Sequence, residues 1–156
     1  MKNKFRFILI ISLVVGFTSC SDNKSTPDKD VQKEVPVSLS FDVPSLVKKN
    51  IDQIRKVLGT PTDKELEPSK LQMSTKGFDI WDNVFEKDGY TLQITYNPHT
   101  RKIIDFFISN DNGSFDDVSI LKKVSNVVDG STDYTLEPVK QIKDNSKYTG
   151  LKIIPN

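Results

Sequence analysis

Hydrophobic spacing divides the chain into helical and extended stretches. Val47, Ile51, Ile54 and Leu58 recur at intervals of 4, 3 and 4 residues, which places them on one stripe of an amphipathic helix. Asn50 followed three residues later by Gln53 can close a capping box within this stretch. Gly59 and Pro61 supply a left-handed stop and a block to continuation. The helix is expected to end at Leu58 and to begin either near Ser45 or, after a short turn, at Asn50. A polar, proline-bounded loop, residues 60–77, comes next.

Three runs with strand character follow. Residues 78–87 and 90–97 flank Asp88-Gly89, a pair suited to the two positive-φ positions of a type I′ hairpin. In the second run Tyr90, Leu92, Ile94 and Tyr96 alternate with Thr91, Gln93 and Thr95, so one face is expected to be buried and the other wet. Asn97-Pro98-His99-Thr100 turns the chain into residues 101–109. There Ile104, Phe106 and Ile108 are expected to share a face, with Ile103 and Phe107 opposite.

A second helix is expected between Ser114, as its cap, and Gly130, with Val118, Leu121, Val124 and Val128 as its stripe. Two β-prone runs close the chain, Tyr134–Ile142 and Tyr148–Ile154. Pro138 confines the first to an edge or makes it irregular. The order α-β-β-β-α-β-β describes an α+β fold: an antiparallel sheet, a three-stranded meander plus one or two C-terminal strands, packed by two helices.

The first forty residues follow a different pattern. Lys2, Lys4 and Arg6 precede an uncharged apolar run, Phe7–Phe17, then Thr18, Ser19 and Cys20, the only cysteine. A basic segment, a short apolar segment and small residues in that order make a secretory signal. Eleven helical residues rise only about 16 Å against a hydrocarbon core of roughly 30 Å, so this is not a permanent membrane span. The stretch Phe17-Thr18-Ser19-Cys20 resembles a bacterial lipobox of the Bacteroidota type, in which the cysteine is lipidated and the signal is cut just before it. Phe17 stands where Leu is most often found. The resemblance implies a signal peptide over residues 1–19 and a lipid anchor on Cys20. Residues 20–40, with few large apolar side chains and with Pro27 and Pro36, read as a flexible tether. Residues 41–156 form the single folded domain.

The chain carries 22 Lys and Arg against 21 Asp and Glu. Loss of Lys2, Lys4 and Arg6 with the signal leaves 19 against 21, too little positive charge to track a phosphate backbone, so nucleic acid is not an expected partner. With the one thiol used by lipid, the domain is held by its core without a disulfide.

Few side chains suggest chemistry. His99 is the only histidine and sits in a turn, so neither a zinc site nor a Ser-His-Asp or Cys-His arrangement can be assembled. Asp79 and Asp82, three apart on an expected strand, point to opposite faces. Asp116 and Asp117 are expected in the first turn of a helix, where negative charge is favoured. Around Gly113 the EF-hand pattern fails, because Ile108 would occupy the first ligand position. Trp81, Phe85, Phe106 and Phe107 could form an aromatic platform, although most belong in a core. No cofactor, metal or catalytic residue is expected.

Asn50, Ile54, Leu58, Gly59 and Pro61, with Tyr96-Asn97-Pro98 further on, follow an order that resembles small outer-membrane lipoproteins of the SmpA/OmlA kind and β-lactamase-inhibitor-like domains. Lys48-Lys49 stand where the Gly-Met pair of those families would be. The resemblance covers about sixty residues and implies the helix-then-meander plan. The expected function is that of a lipid-anchored envelope protein without catalytic activity: a binding or accessory module whose partners are the membrane, through Cys20, and an envelope protein. The alternatives are an inhibitor of an envelope enzyme and a carboxylate-dependent enzyme.

Overall fold

The computed structural model describes residues 37–156. The expected signal segment, Cys20 and the tether up to residue 36 lie outside the described residues. A 3₁₀ turn, Val43–Ser45, leads into α1, Ile51–Leu58. The helix thus starts at its internal cap: Asn50 Oδ1 accepts the Gln53 N–H at 2.9 Å, and Gln53 Oε1 accepts the Asn50 N–H at 3.0 Å. Gly59, at φ 93°, ends it.

The stretch expected as loop contains a further short helix, α2, Lys70–Ser74, closed by a second capping box between Ser69 and Gln72. It buries no residue. Strands β1 (Trp81–Lys87), β2 (Tyr90–Tyr96) and β3 (Ile103–Asn110) form the expected antiparallel meander. Asp88 and Gly89 both take positive φ, 54° and 76°, as a type I′ turn requires. Helix α3, Ser119–Ser125, precedes β4 (Tyr134–Lys140) and β5 (Tyr148–Pro155).

All neighbours in the five-stranded sheet are antiparallel, in the order β1-β2-β3-β5-β4. The α+β class with an antiparallel sheet is therefore present, while the expected element order is matched only loosely because α2 intervenes. Strand β5 is inserted between β3 and β4, which leaves Pro138 on an edge strand where its missing N–H is tolerated.

Cross-strand register defines two faces. One row, Asn83-Ile94-Phe106-Ile153-Leu136, crosses all five strands on the inner face. Its apolar members join Val43, Leu46, Ile51, Ile54, Leu121 and Val124 in a single core. The next row, Val84-Gln93-Phe107-Lys152-Glu137, faces the other way.

Three local expectations are corrected. In β3 the pairing slips between Thr95 and Tyr96, so that Tyr96 meets Ile103 and Ile104 is left over. This bulge turns Ile103 toward the core and leaves Ile104 exposed, reversing the expected alternation at those two positions. The second helix is shorter than expected at both ends. Ser114 does not cap it: Phe115 forms an antiparallel bridge with Tyr148, so the chain is extended there. At the other end Asn126 takes φ 58° and stops the helix four residues before Gly130, which leaves Val128 exposed. Finally, β4 stops at Lys140, and Ile142 is fully exposed.

Candidate functional site

The densest group of charged side chains gathers where α1, the 60–69 segment and the β2–β3 turn meet. Arg55 emerges from the last turns of α1 and is largely buried. It donates through Nε at 2.8 Å and Nη2 at 2.5 Å to Asn83 Oδ1, through Nη2 to the Leu66 carbonyl at 2.9 Å and the Tyr96 hydroxyl at 3.0 Å, and through Nη1 to Glu67. Asn83, fully buried on the inner face of β1, uses its own amide N–H groups on the carbonyls of Leu66 at 3.2 Å and Asp82 at 2.9 Å.

Arg101 completes the group. Its φ of 64° holds it in the left-handed region at the turn. From there its carbonyl accepts the Ile51 N–H at 3.2 Å. Its guanidinium grips Asp52 at 3.1 and 2.5 Å and Glu67 at 2.7 Å twice. Both guanidiniums lie over the Tyr96 ring, 5.5 and 5.3 Å from its centroid, close enough for cation–π attraction.

The electrostatics follow from this pairing. Hydrogen bonds from Arg101 and then Arg55 outweigh partial burial and hold the Glu67 carboxyl at about 2. Asp52 is lowered chiefly by its hydrogen bond to Arg101, and Arg101 is raised by Glu67 and Asp52 in turn. Burial raises Tyr96. Two cations face two anions with nearly every donor used, so the cluster fastens the 60–69 segment and α1 to the end of the sheet.

The residues singled out from the sequence are dispersed. His99 Nε2 meets the Phe78 carbonyl at 3.0 Å in its turn. Asp79 precedes β1, so it does not share a strand with Asp82 as expected. Asp116 pairs with Lys147 at 2.5 Å, and Asp117 Oδ1 accepts the Ser119 N–H at 2.6 Å; both precede α3 instead of lying in its first turn. The Asp117 carboxyl is lowered by these Ser119 contacts. Gly113 sits in a polar turn, its N–H bonded to Asn110. Among the aromatic residues, Phe85 and Phe106 are core, Phe107 lies on the outer face, and half-buried Trp81 packs near Phe78 at 6.0 Å between centroids. Cys20 lies outside the described residues.

Two open clefts have the volume of a small-molecule site. One, about 440 Å³, lies between the start of α1 and the β2–β3 turn and carries Lys48, Lys49 and Lys102 around Val47 and Ile103. The other, about 430 Å³, lies along the outer edge of β1 and is lined by Asp63, Lys64, Glu65, Trp81 and Asp82. Trp81 Nε1 and Asp82 Oδ1 belong to residues of this second cleft but are themselves closed to solvent, and they have no hydrogen-bond partner among the described residues. Those residues include no group of three or more His, Cys, Asp or Glu arranged to hold a metal ion, and no helix among them is long and apolar enough to cross a membrane.

No family model, curated protein or solved structure matches this chain. The site is defined by its own geometry. Trp81 and Asp82 each stand out in the sequence, but their shared cleft depends on Asp63–Glu65 returning to the edge of β1. The ionic cluster left one legible trace: a polar Asn83 between Trp81 and Phe85 at an inward-facing position.

Proposed function

We propose that this chain is a lipid-anchored protein of the cell envelope, held at the outer membrane through Cys20, whose α+β domain is a non-catalytic binding or accessory module. The anchor rests on the ordered basic, apolar and small residues that end at Cys20. Two or three acyl chains on one residue anchor stably, whereas a single chain binds only marginally.

The observation that carries the binding reading is a contrast between two polar groups of side chains. The Asp52-Arg55-Glu67-Arg101 cluster is neutralised from within, which suits a structural fastening better than acid–base chemistry. The cleft beside β1, about 430 Å³ and lined by Asp63, Lys64, Glu65, Trp81 and Asp82, lies open at the sheet edge, which suits a surface that receives a partner.

Fractionation tests the anchor. The Cys20→Ala variant should move from the membrane pellet to the soluble fraction, and continued sedimentation with membranes would contradict the proposal.

A further inference from the structure

We propose that the cleft between the start of α1 and the β2–β3 turn binds a phosphomonoester through Lys48, Lys49 and Lys102. This deepens the reading of the domain as a binding module and rests on it.

Backbone bonds fix the two walls of this cleft. The Ile51 N–H donates to the Arg101 carbonyl at 3.2 Å and ties the first residue of α1 to the turn, while the Asn97 N–H donates to the Lys102 carbonyl at 2.9 Å and closes the turn itself. Lys48, Lys49, Asn50 and Gln53 form one wall of an open space of about 440 Å³, and Thr100 and Lys102 form the other. Val47, buried, and Ile103, packed against the core, supply its apolar part. No carboxylate among the described residues lines it. Asp52, in the first turn of α1, is held by Arg101 instead. Lys48 meets Asp133 at 2.8 Å in a solvent-exposed pair, which water screens. Lys49 and Lys102 have no ion-pair partner among the described residues.

The chemistry of the lining selects the ligand. An ammonium group only donates, and three of them line one cleft. Asn50 Oδ1 and Gln53 Oε1 are both engaged in the capping box, so these two side chains offer the cleft their amide N–H groups as well. A cation is repelled by such a lining, and a neutral ligand gains nothing from its charge. Among anions, a single carboxylate has two oxygens, whose geometry is matched best by a guanidinium fork. A phosphomonoester has three strong acceptor oxygens and a charge of about −1.5 to −2 at neutral pH, which suits several separate point charges on flexible stems. Val47 and Ile103 leave room for the organic part of the ester. The same headgroup chemistry occurs in a soluble ester and in an anionic lipid of the bilayer to which Cys20 is proposed to hold the domain.

Amide chemical shifts of the full chain in uncharged maltoside micelles locate the binding. The chain is titrated with glycerol 3-phosphate and, separately, with a short-chain phosphatidic acid, with sodium acetate and sodium chloride at matched ionic strength as comparisons. At least one phosphomonoester should shift the amides of residues 47–53 and 100–103 saturably, with a dissociation constant of about 1 mM or tighter, and the comparisons should not. Equal affinity for the two esters assigns the site to a soluble ligand, and roughly tenfold tighter binding of phosphatidic acid assigns it to a lipid headgroup. Lys49→Gln with Lys102→Gln should weaken binding roughly tenfold or more. Lys76→Gln with Lys143→Gln removes the same charge outside the cleft and should leave binding unchanged. No response to either ester, shifts spread over lysines throughout the chain, an equal response to acetate, or an equal loss in the two double variants would overturn the proposal. None of these results alters the fractionation of Cys20→Ala, so the anchor and the ligand are tested separately.

Discussion

The ring of Phe107 lies across Gly150 on the neighbouring strand. A methyl group at position 150 would stand 2.3 Å from Phe107 Cζ and 2.6 Å from the Ile108 carbonyl oxygen. Glycine is needed here for close approach, on the outer face where Phe107 pairs with Lys152. Gly150→Ala should lower stability by about 1–3 kcal/mol, the usual cost of overpacking, measured as a fall in the urea midpoint. Adding Phe107→Leu should restore only part of the loss, because the Ile108 carbonyl is backbone and cannot turn aside. An unchanged midpoint in Gly150→Ala would contradict the packing described.

The two capping boxes should differ in their consequences. Asn50 caps a helix whose Ile51 and Ile54 are buried in the core, so Asn50→Ala should lower global stability by about 1 kcal/mol. Asn50→Asp should be close to the parent. Ser69 caps α2, which buries nothing, so Ser69→Ala should leave the global midpoint unchanged and only raise local amide exchange around residues 70–74. Equal losses in the two alanine variants would contradict this division.

Acid should loosen the Arg55-Arg101 cluster through Glu67. Its carboxyl sits at about 2 in the folded chain against an ordinary value of 4.5. The folded value is depressed, so the stabilisation is complete above about pH 4.5 and is lost as pH falls toward 2. Glu67 is substantially exposed, and solvent screening holds its share to about 1 kcal/mol or less. Denaturant midpoints between pH 5 and 2 should therefore fall less steeply in Glu67→Gln than in the parent. Identical slopes would show that Glu67 is not the group responsible.

Arg101→Lys should not be conservative. A lysine ammonium cannot hold Asp52 and Glu67 with the paired geometry of the guanidinium. The substitution should lower the thermal midpoint and raise amide exchange in the 60–69 segment, while a parent-like exchange pattern there would contradict the fastening role.

Periodicity made the meander, the Asp88-Gly89 turn, the Asn50 cap and the edge position of Pro138 legible, because each depends on neighbours within a few residues. What escaped depends on contacts distant in sequence. The bulge that reverses Ile103 and Ile104 is set by how β3 meets β2 across Tyr96. The expected second helix is too long because Phe115 has the same apolar character in a helix as in its bridge to Tyr148. Helix α2 carried a legible cap, Ser69-x-x-Gln72, but no apolar stripe to draw attention to it. The pairing of Glu67 with Arg101, 34 residues apart, leaves no sequence pattern at all, and the same is true of the cleft that joins Asp63 to Trp81 and Asp82.

The most direct test of the account is the mass of the mature protein isolated from the envelope. The account predicts a chain that begins at Cys20 and carries fatty acyl groups on that residue. A bare Cys20 thiol, or a mature chain that retains residues 1–19, would contradict it.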